Sequence, residues 1–206
     1  MGQFITQLFK QSGARLLAGL VVMQLLVLPA MAEAVVGGAV MGDDGLHKTT
    51  WMRDTFRDLR EDLAEANAEG KRLAIIMEQR GCIYCDKVHR EVFPVPEIDS
   101  YIRENFFFIQ MNMFGDVEWT DFDGEVLSEK KMAQKWGLMF TPTMLFFPEA
   151  VEDGKTAPQA AVINMPGAFG KYTTLNIFKW VVEKGYETDE SFQKFHARNL
   201  EGVFAD

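Results

Sequence analysis

Two cysteines are all that the 206-residue chain contains, and they stand two residues apart in GCIYC, Gly81 to Cys85. The pair falls between an apolar run, RLAIIMEQ (Arg72 to Gln79), and a stretch of helical character, Cys82 to Val92. A thiol at the start of a helix meets backbone N–H groups that have no partner within the helix. Those donors and the helix dipole stabilise a thiolate. They can lower a cysteine pKa from about 8.5 into the range of roughly 3.5–7.5. Cys82 is therefore expected to attack a substrate disulfide. Cys85, one turn on, is expected to resolve the mixed disulfide by attacking the Cys82 sulfur. As a structural staple the pair would be weak, because so short a loop constrains the unfolded chain little.

Other uses of the pair carry less weight. Zinc would call for a second pair of ligands, and the only extra candidate nearby is His89, which reads as a partly exposed helix residue. His47 and His196 fall in a lead and a tail and receive no role. Met111 and Met113 share one face of an apolar strand, and thioethers with thiolates would suit Cu(I). Methionines in such a strand more often fill a core. DFDG, Asp121 to Gly124, does not make an EF-hand, because Trp119 and Lys130 would fall at positions one and twelve of the loop, where oxygen ligands are required. The expectation is no metal and no cofactor.

The elements that must position the thiols follow from hydrophobic periodicity. Trp51 to Gly70 places Met52, Phe56, Leu59, Leu63 and Ala66 at helical spacing. Arg72 to Gln79 and Asn105 to Met113 read as strands, so strand, helix and strand form a βαβ unit with parallel strands. Phe114 to Leu127 reads as an acidic loop, at the active-site rim or on a solvated surface. Ser128 to Trp136 reads as a helix, and Thr143 to Phe147, just after Pro142, as a strand. Glu149 to Gln159 reads as a loop, Ala160 to Met165 as a strand, and Lys171 to Lys184 as an amphipathic helix. A short helix is expected around Ser191 to Asn199.

The N-terminus reads as a secretory signal peptide over residues 1–32. Lys10 and Arg15 lead into the apolar run LLAGLVVMQLLVL, and Ala30 and Ala32 form an A-x-A site. Residues 33–50 read as a flexible lead, 51–186 as one domain and 187–206 as a C-terminal extension. The formal net charge of the whole chain is −9, and the leader holds two basic residues and no acidic ones, so the mature protein is more acidic still. Phosphates would be repelled, which argues against a nucleic-acid partner.

GCIYC at 81–85, KWGLMFTPTMLFF at 135–147 and INMPG before an amphipathic helix together resemble the thioredoxin superfamily. The resemblance spans roughly Trp51 to Tyr186 and implies an α/β thioredoxin fold, a central mixed β-sheet flanked by helices. GCIYCDKVHREVF, FGDVEWTDFDGE and FTPT resemble, more narrowly, the periplasmic SoxW-type thioredoxins that accompany sulfur-oxidation systems. That resemblance implies a periplasmic, monomeric thiol–disulfide oxidoreductase. It would reduce disulfides of exported proteins and be reset by a membrane electron donor of DsbD/CcdA type. It also implies a cis Pro142 facing the cysteines, with the Thr141 backbone and Tyr84 forming the substrate surface. Small thioredoxins carry a buried Asp six residues before the first cysteine. Ile76 stands there instead, and Glu78, of the same strand parity, is a candidate proton relay for Cys85, although an ordinary strand-end Glu would be exposed. Ile83-Tyr84 replaces the usual Gly-Pro, and Tyr84 and Thr141 also occur in periplasmic isomerases. A dithiol oxidase or disulfide isomerase of the same fold, or a Cu(I)-binding module, is therefore the alternative. Around Cys82, Arg80, Lys87 and Arg90 nearly balance Glu78, Asp86 and Glu91.

Overall fold

The structure is a computed structural model that describes residues 38–201; the expected signal peptide lies outside them. Its centre is a five-stranded mixed sheet in which β3 (Met52–Arg53), β5 (Phe106–Asn112), β4 (Arg72–Glu78), β8 (Thr143–Phe146) and β9 (Ile163–Pro166) lie side by side in that order. β3 and β4 run parallel to β5, while β8 is antiparallel to both β4 and β9. β4 and β5 are buried on both faces, as their unbroken apolar runs require.

Strand parity divides the core. Leu73, Ile75 and Met77 face one layer, built from α1 (Leu59–Ala68), α4 (Glu129–Lys135) and α5 (Ala157–Ala160). Ala74 and Ile76 face the other, which holds the redox helix α2 (Ile83–Lys87), its continuation Val88–Val92, and α6 (Lys171–Val182) with α7 (Phe192–Glu201). Phe106, Phe108, Phe146 and Phe178 interlock there as tilted and edge-to-face pairs. Met111 and Met113 belong to the first layer, so they fill the core.

Several segments differ from their sequence reading. The helix expected over 51–70 is shortened, because Met52 and Arg53 pair with Phe108 and Ile109 of β5. Arg57 then takes a left-handed φ of 66°, and Asp58 caps α1 by accepting hydrogen bonds from the backbone N–H groups of Arg60 and Glu61. Phe56, outside the helix, is exposed rather than packed. A helix not expected from the pattern, α3 (Pro96–Asn105), follows the redox segment; its proline sits in the first turn, where a missing N–H costs nothing. The helix expected over 82–92 ends in a π-turn, with the Phe93 N–H donating to the Val88 carbonyl at 2.9 Å. α5 occupies the end of the expected 149–159 loop. The lead contains a hairpin, β1 (Val40–Met41) on β2 (His47–Lys48).

The acidic segment after Phe114 forms a second hairpin, β6 (Glu118–Thr120) and β7 (Val126–Ser128). Its anchor is Asp121, which is fully buried. The Asp121 carboxylate accepts from Trp136 Nε1 at 2.8 Å and from the backbone N–H groups of Phe122 and Ala157 at 2.8 and 2.9 Å, and it pairs with Lys135 at 2.9 Å. Burial opposes the charge of Lys135, but hydrogen bonds to Asp123, Asp121 and Glu125 outweigh it and raise its pKa. A buried carboxylate with four partners ties the hairpin to α4 and α5.

Asp62 is the opposite case. It is 2% exposed, and its Oδ2 has no hydrogen-bond partner among the described residues. Burial, helped by the charges of Asp58, Glu65 and Glu61 and opposed by a hydrogen bond with Thr55, pushes its carboxyl up to about 7 from 3.8. The protonated form is the one the fold accommodates. The folding penalty is therefore absent below the unfolded value, grows as pH rises, and is complete above about 7. Asp62→Asn is expected to raise the thermal midpoint clearly at pH 8 and much less at pH 5, measured by calorimetry at both values.

Candidate active site

Cys82 and Cys85 are joined by a disulfide, with Cα atoms 5.2 Å apart. Gly81, with a φ of 71°, turns the chain out of the β4 region and into α2. Cys82 is the N-cap residue, and the Cys85 backbone N–H donates to Cys82 Sγ at 3.0 Å. Cys82 is 6% exposed and Cys85 1%. The more accessible sulfur is thus the one at the helix mouth, and the second lies beneath it.

The opposite wall comes from the start of β8. Met77 of β4 stands opposite Thr143 of β8, so the end of one strand and the beginning of the other meet beside the disulfide. The Thr141–Pro142 peptide bond is cis. Thr141 Oγ1 donates to Cys82 Sγ at 3.3 Å, and the Thr141 carbonyl oxygen lies 3.4 Å from the same sulfur. Because β8 begins at Thr143, the Thr141 backbone stays outside its ladder. The Pro142 carbonyl accepts from Gly167 N–H at 2.7 Å, which holds the turn against the start of the next segment. Ile83, Tyr84, Met139 and Phe140 are exposed on either side and form an apolar rim. The expected residues Cys82, Cys85, Thr141 and Pro142 therefore come together, with Tyr84 on the surface beside them. Trp136 packs against Asp121, as its sequence context suggests.

Two other residues depart from their sequence reading. Glu78 is fully buried rather than an exposed strand end, and His89 is 1% exposed rather than on a solvated helix face. His89 Nε2 lies 2.9 Å from Glu78 Oε1, and Gln110 Nε2 donates to Glu78 Oε2. Both carboxylate oxygens are thus taken, by His89 and by Gln110. His47, given no role from sequence, stacks on His89 with ring centroids 4.9 Å apart, and its Nε2 lies 3.1 Å from Asp86 Oδ1. Asp86 also accepts from Arg90 Nε at 2.7 Å. Of the charges near Cys82, Arg90 and Asp86 pair with one another, Glu78 is held by His89 and Gln110, and Arg80 donates to backbone carbonyls of the β1–β2 turn. A signal for His89 was present: it stands four residues after Cys85 on a helical segment, facing a strand that ends in Glu78.

Comparison with known proteins bears on the fold. The family profile of a thioredoxin-like domain matches residues 59–163. No curated protein matches the sequence. Among solved structures, a thioredoxin-fold protein from Helicobacter pylori shares 17% identity over 64% of this chain and 81% of its own, with a TM-score of 0.50. A thioredoxin from Thermus thermophilus shares 19% identity over 64% of this chain and 91% of its own, at a TM-score of 0.46. The C-terminal domain of DsbD from Neisseria meningitidis, in the oxidised form, shares 16% identity over 59% and 87%, at 0.38. At such identity the first of these is a likeness of fold, the mixed sheet flanked by helices.

The Thr141 hydroxyl and the Cys85 N–H both point at Cys82 Sγ, and removing one neutral hydrogen bond is worth about 0.5–1.5 kcal/mol. Thr141→Val is expected to slow alkylation of reduced Cys82 at pH 7 by roughly two- to tenfold, read from iodoacetamide kinetics.

Proposed function

Because the chain belongs to the thioredoxin-like domain family, we propose that it is a thiol–disulfide oxidoreductase that reduces disulfides of exported partner proteins. The observation that carries this reading is the Cys82–Cys85 pair at the mouth of α2, facing the cis Thr141–Pro142 bond. In the reduced protein the Cys82 thiolate attacks one sulfur of a partner disulfide. A Cys82–partner disulfide forms, and the other partner sulfur leaves as a thiolate that takes up a proton. Cys85 then loses its proton and attacks Cys82 Sγ. The intramolecular disulfide forms, and the second partner thiol departs reduced. Two electrons and two protons pass to the partner, and a dithiol donor must return them.

The partner strand is held by the Thr141 backbone, a short form of β-augmentation, with Tyr84 and the apolar rim receiving its side chains. The contacts of Cys82 Sγ bear on the direction of electron flow. The donors to it are a backbone N–H and a hydroxyl, both neutral, and neutral donors stabilise a thiolate less than cationic ones do. Moderate stabilisation of the reduced form favours a reductant over a strong oxidant. The N-terminal leader supports a periplasmic setting, and the sequence resemblance to SoxW-type proteins supports a link to sulfur oxidation with a DsbD/CcdA-type donor.

Cys85→Ser should trap partners as stable mixed disulfides on Cys82, identifiable by mass spectrometry after purification from the periplasm. Cys82→Ser should trap none. Equilibration with a dithiol buffer should place the Cys82–Cys85 potential nearer the thioredoxin value of about −270 mV than the DsbA value of about −120 mV. A potential at the latter end would instead make the protein a dithiol oxidase.

A further inference from the structure

The cation nearest to the thiols in the chain is drawn away by the β1–β2 hairpin. Arg80 and Gly81 occupy the middle of a tight turn, closed by the Cys82 N–H donating to the Gln79 carbonyl at 3.3 Å. Arg80 thus stands two residues before the attacking sulfur, at the corner that delivers Cys82 to α2. Its guanidinium nevertheless reaches the hairpin. Nη2 donates to the Asp43 carbonyl at 3.3 Å and Nε to the Asp44 carbonyl at 3.4 Å.

Gly45 makes room for this contact. A Cβ there would stand 2.5 Å from Arg80 Nε, 2.9 Å from Cγ and 3.2 Å from Cδ, so the arginine stem lies directly on the glycine backbone. Gly45 also has a φ of 76°, which favours glycine. The turn is held in place from several sides. The Gly45 N–H donates to the Gly42 carbonyl at 2.9 Å and the Gly42 N–H to the Leu46 carbonyl at 2.8 Å. Lys48 donates to the Asp44 carboxylate at 2.7 Å, and Leu46 is buried. Backbone carbonyls are neutral, so Arg80 keeps its full charge.

The acid on the other side of the motif is occupied as well. Asp86 Oδ1 lies 3.1 Å from His47 Nε2 and accepts from Arg90 Nε. Glu78 is held by His89 and Gln110, and Lys87 and Glu91 are exposed on the helical segment. The facing wall offers neutral Thr141 and Pro142. The donors to Cys82 Sγ are therefore the Cys85 N–H and the Thr141 hydroxyl.

We propose that the β1–β2 turn is a positioning element for Cys82, which by gripping Arg80 withholds a guanidinium from the sulfur and leaves the reduced thiolate less stabilised. The inference rests on the exchange reaction proposed above and deepens it by naming what sets its direction. A guanidinium free to reach Cys82 would add a charge-assisted hydrogen bond to the thiolate. That bond would lower the thiol pKa and make the protein a weaker reductant. The hairpin precedes residues 59–163, so this element lies outside the span that the family profile matches.

The test is the pKa of Cys82 in the fully reduced full chain. It is read from the pH dependence of iodoacetamide alkylation, with the Cys82 adduct quantified by mass spectrometry. Gly45→Ala sets a methyl against a flexible side chain and displaces it. That variant should lower the Cys82 pKa by about half a pH unit or more. Its equilibrium with a dithiol buffer should shift toward the reduced protein. Arg80→Gln should leave the pKa near the wild-type value, and Gly45→Ala combined with Arg80→Gln should return it there. The double variant carries the same alanine, so a general loosening of the turn would show in both. Three results would each overturn the proposal: an unchanged pKa in Gly45→Ala, a lowered pKa that persists in the double variant, or a pKa raised by Arg80→Gln alone as far as Gly45→Ala lowers it. Cys85→Ser trapping reads exchange with partners, whereas this pKa needs no partner, so either reading can fail without the other.

Discussion

The antiparallel register of β4 on β8 is the constraint on which the rest depends. Met77 opposite Thr143 fixes where two chain segments meet. Five residues after Met77 comes Cys82, and just before Thr143 come Thr141 and Pro142. Their proximity is therefore a consequence of sheet pairing rather than of any local preference. Because side chains alternate with a period of two, a slip of one residue would also turn Ile76 and Glu78 into the opposite core layer. The interleaved phenylalanines on one face and the methionine-rich layer on the other resist such a slip. Both faces of the sheet thus serve to hold one sulfur against one hydroxyl.

Around this frame the protein buries acids in three different ways. Asp121 has four partners and acts as a fastening for the β6–β7 hairpin. Glu78 has two, a histidine from the redox segment and a glutamine from the neighbouring strand. Asp62 has an oxygen with none and is tolerated as the neutral acid. The differences follow from what each carboxylate meets. At Asp62 burial prevails, because its neighbours Asp58, Glu61 and Glu65 carry the same charge and one oxygen lacks a hydrogen-bond partner among the described residues.

The β1–β2 hairpin shows how a segment can be placed without a continuous hydrophobic face. Leu46 is its main buried apolar residue. The remaining attachments are polar. His47 lies on Asp86 and stacks on His89, the Gln110 amide donates to the His47 carbonyl at 2.8 Å, and Arg80 donates to the carbonyls of Asp43 and Asp44. Arg80 and Asp86 flank the redox motif on both sides. The hairpin is therefore fastened to the segment that carries the thiols.

The chemistry was legible in the residues themselves. Two cysteines two residues apart between an apolar run and a helix point to exchange, and β4, β5, β8 and β9 announced themselves as apolar runs bounded by Gly, Pro or Asn. Such features are local, since periodicity and turn residues act over a few positions. The short pairing of Met52 and Arg53 was not legible, because two residues carry no period and were drawn into an edge position by β5. Nor were the burial of Glu78 and His89 or the docking of the lead. His47 and Asp86 are 39 positions apart, and Gln110 and Glu78 are 32 apart. A polar side chain can be buried only when its partners arrive, and here they arrive from distant segments. The sequence by itself determined which atoms are the candidates to react; only the tertiary structure decided what surrounds them, because desolvation and hydrogen bonding depend on neighbours that chain order does not reveal.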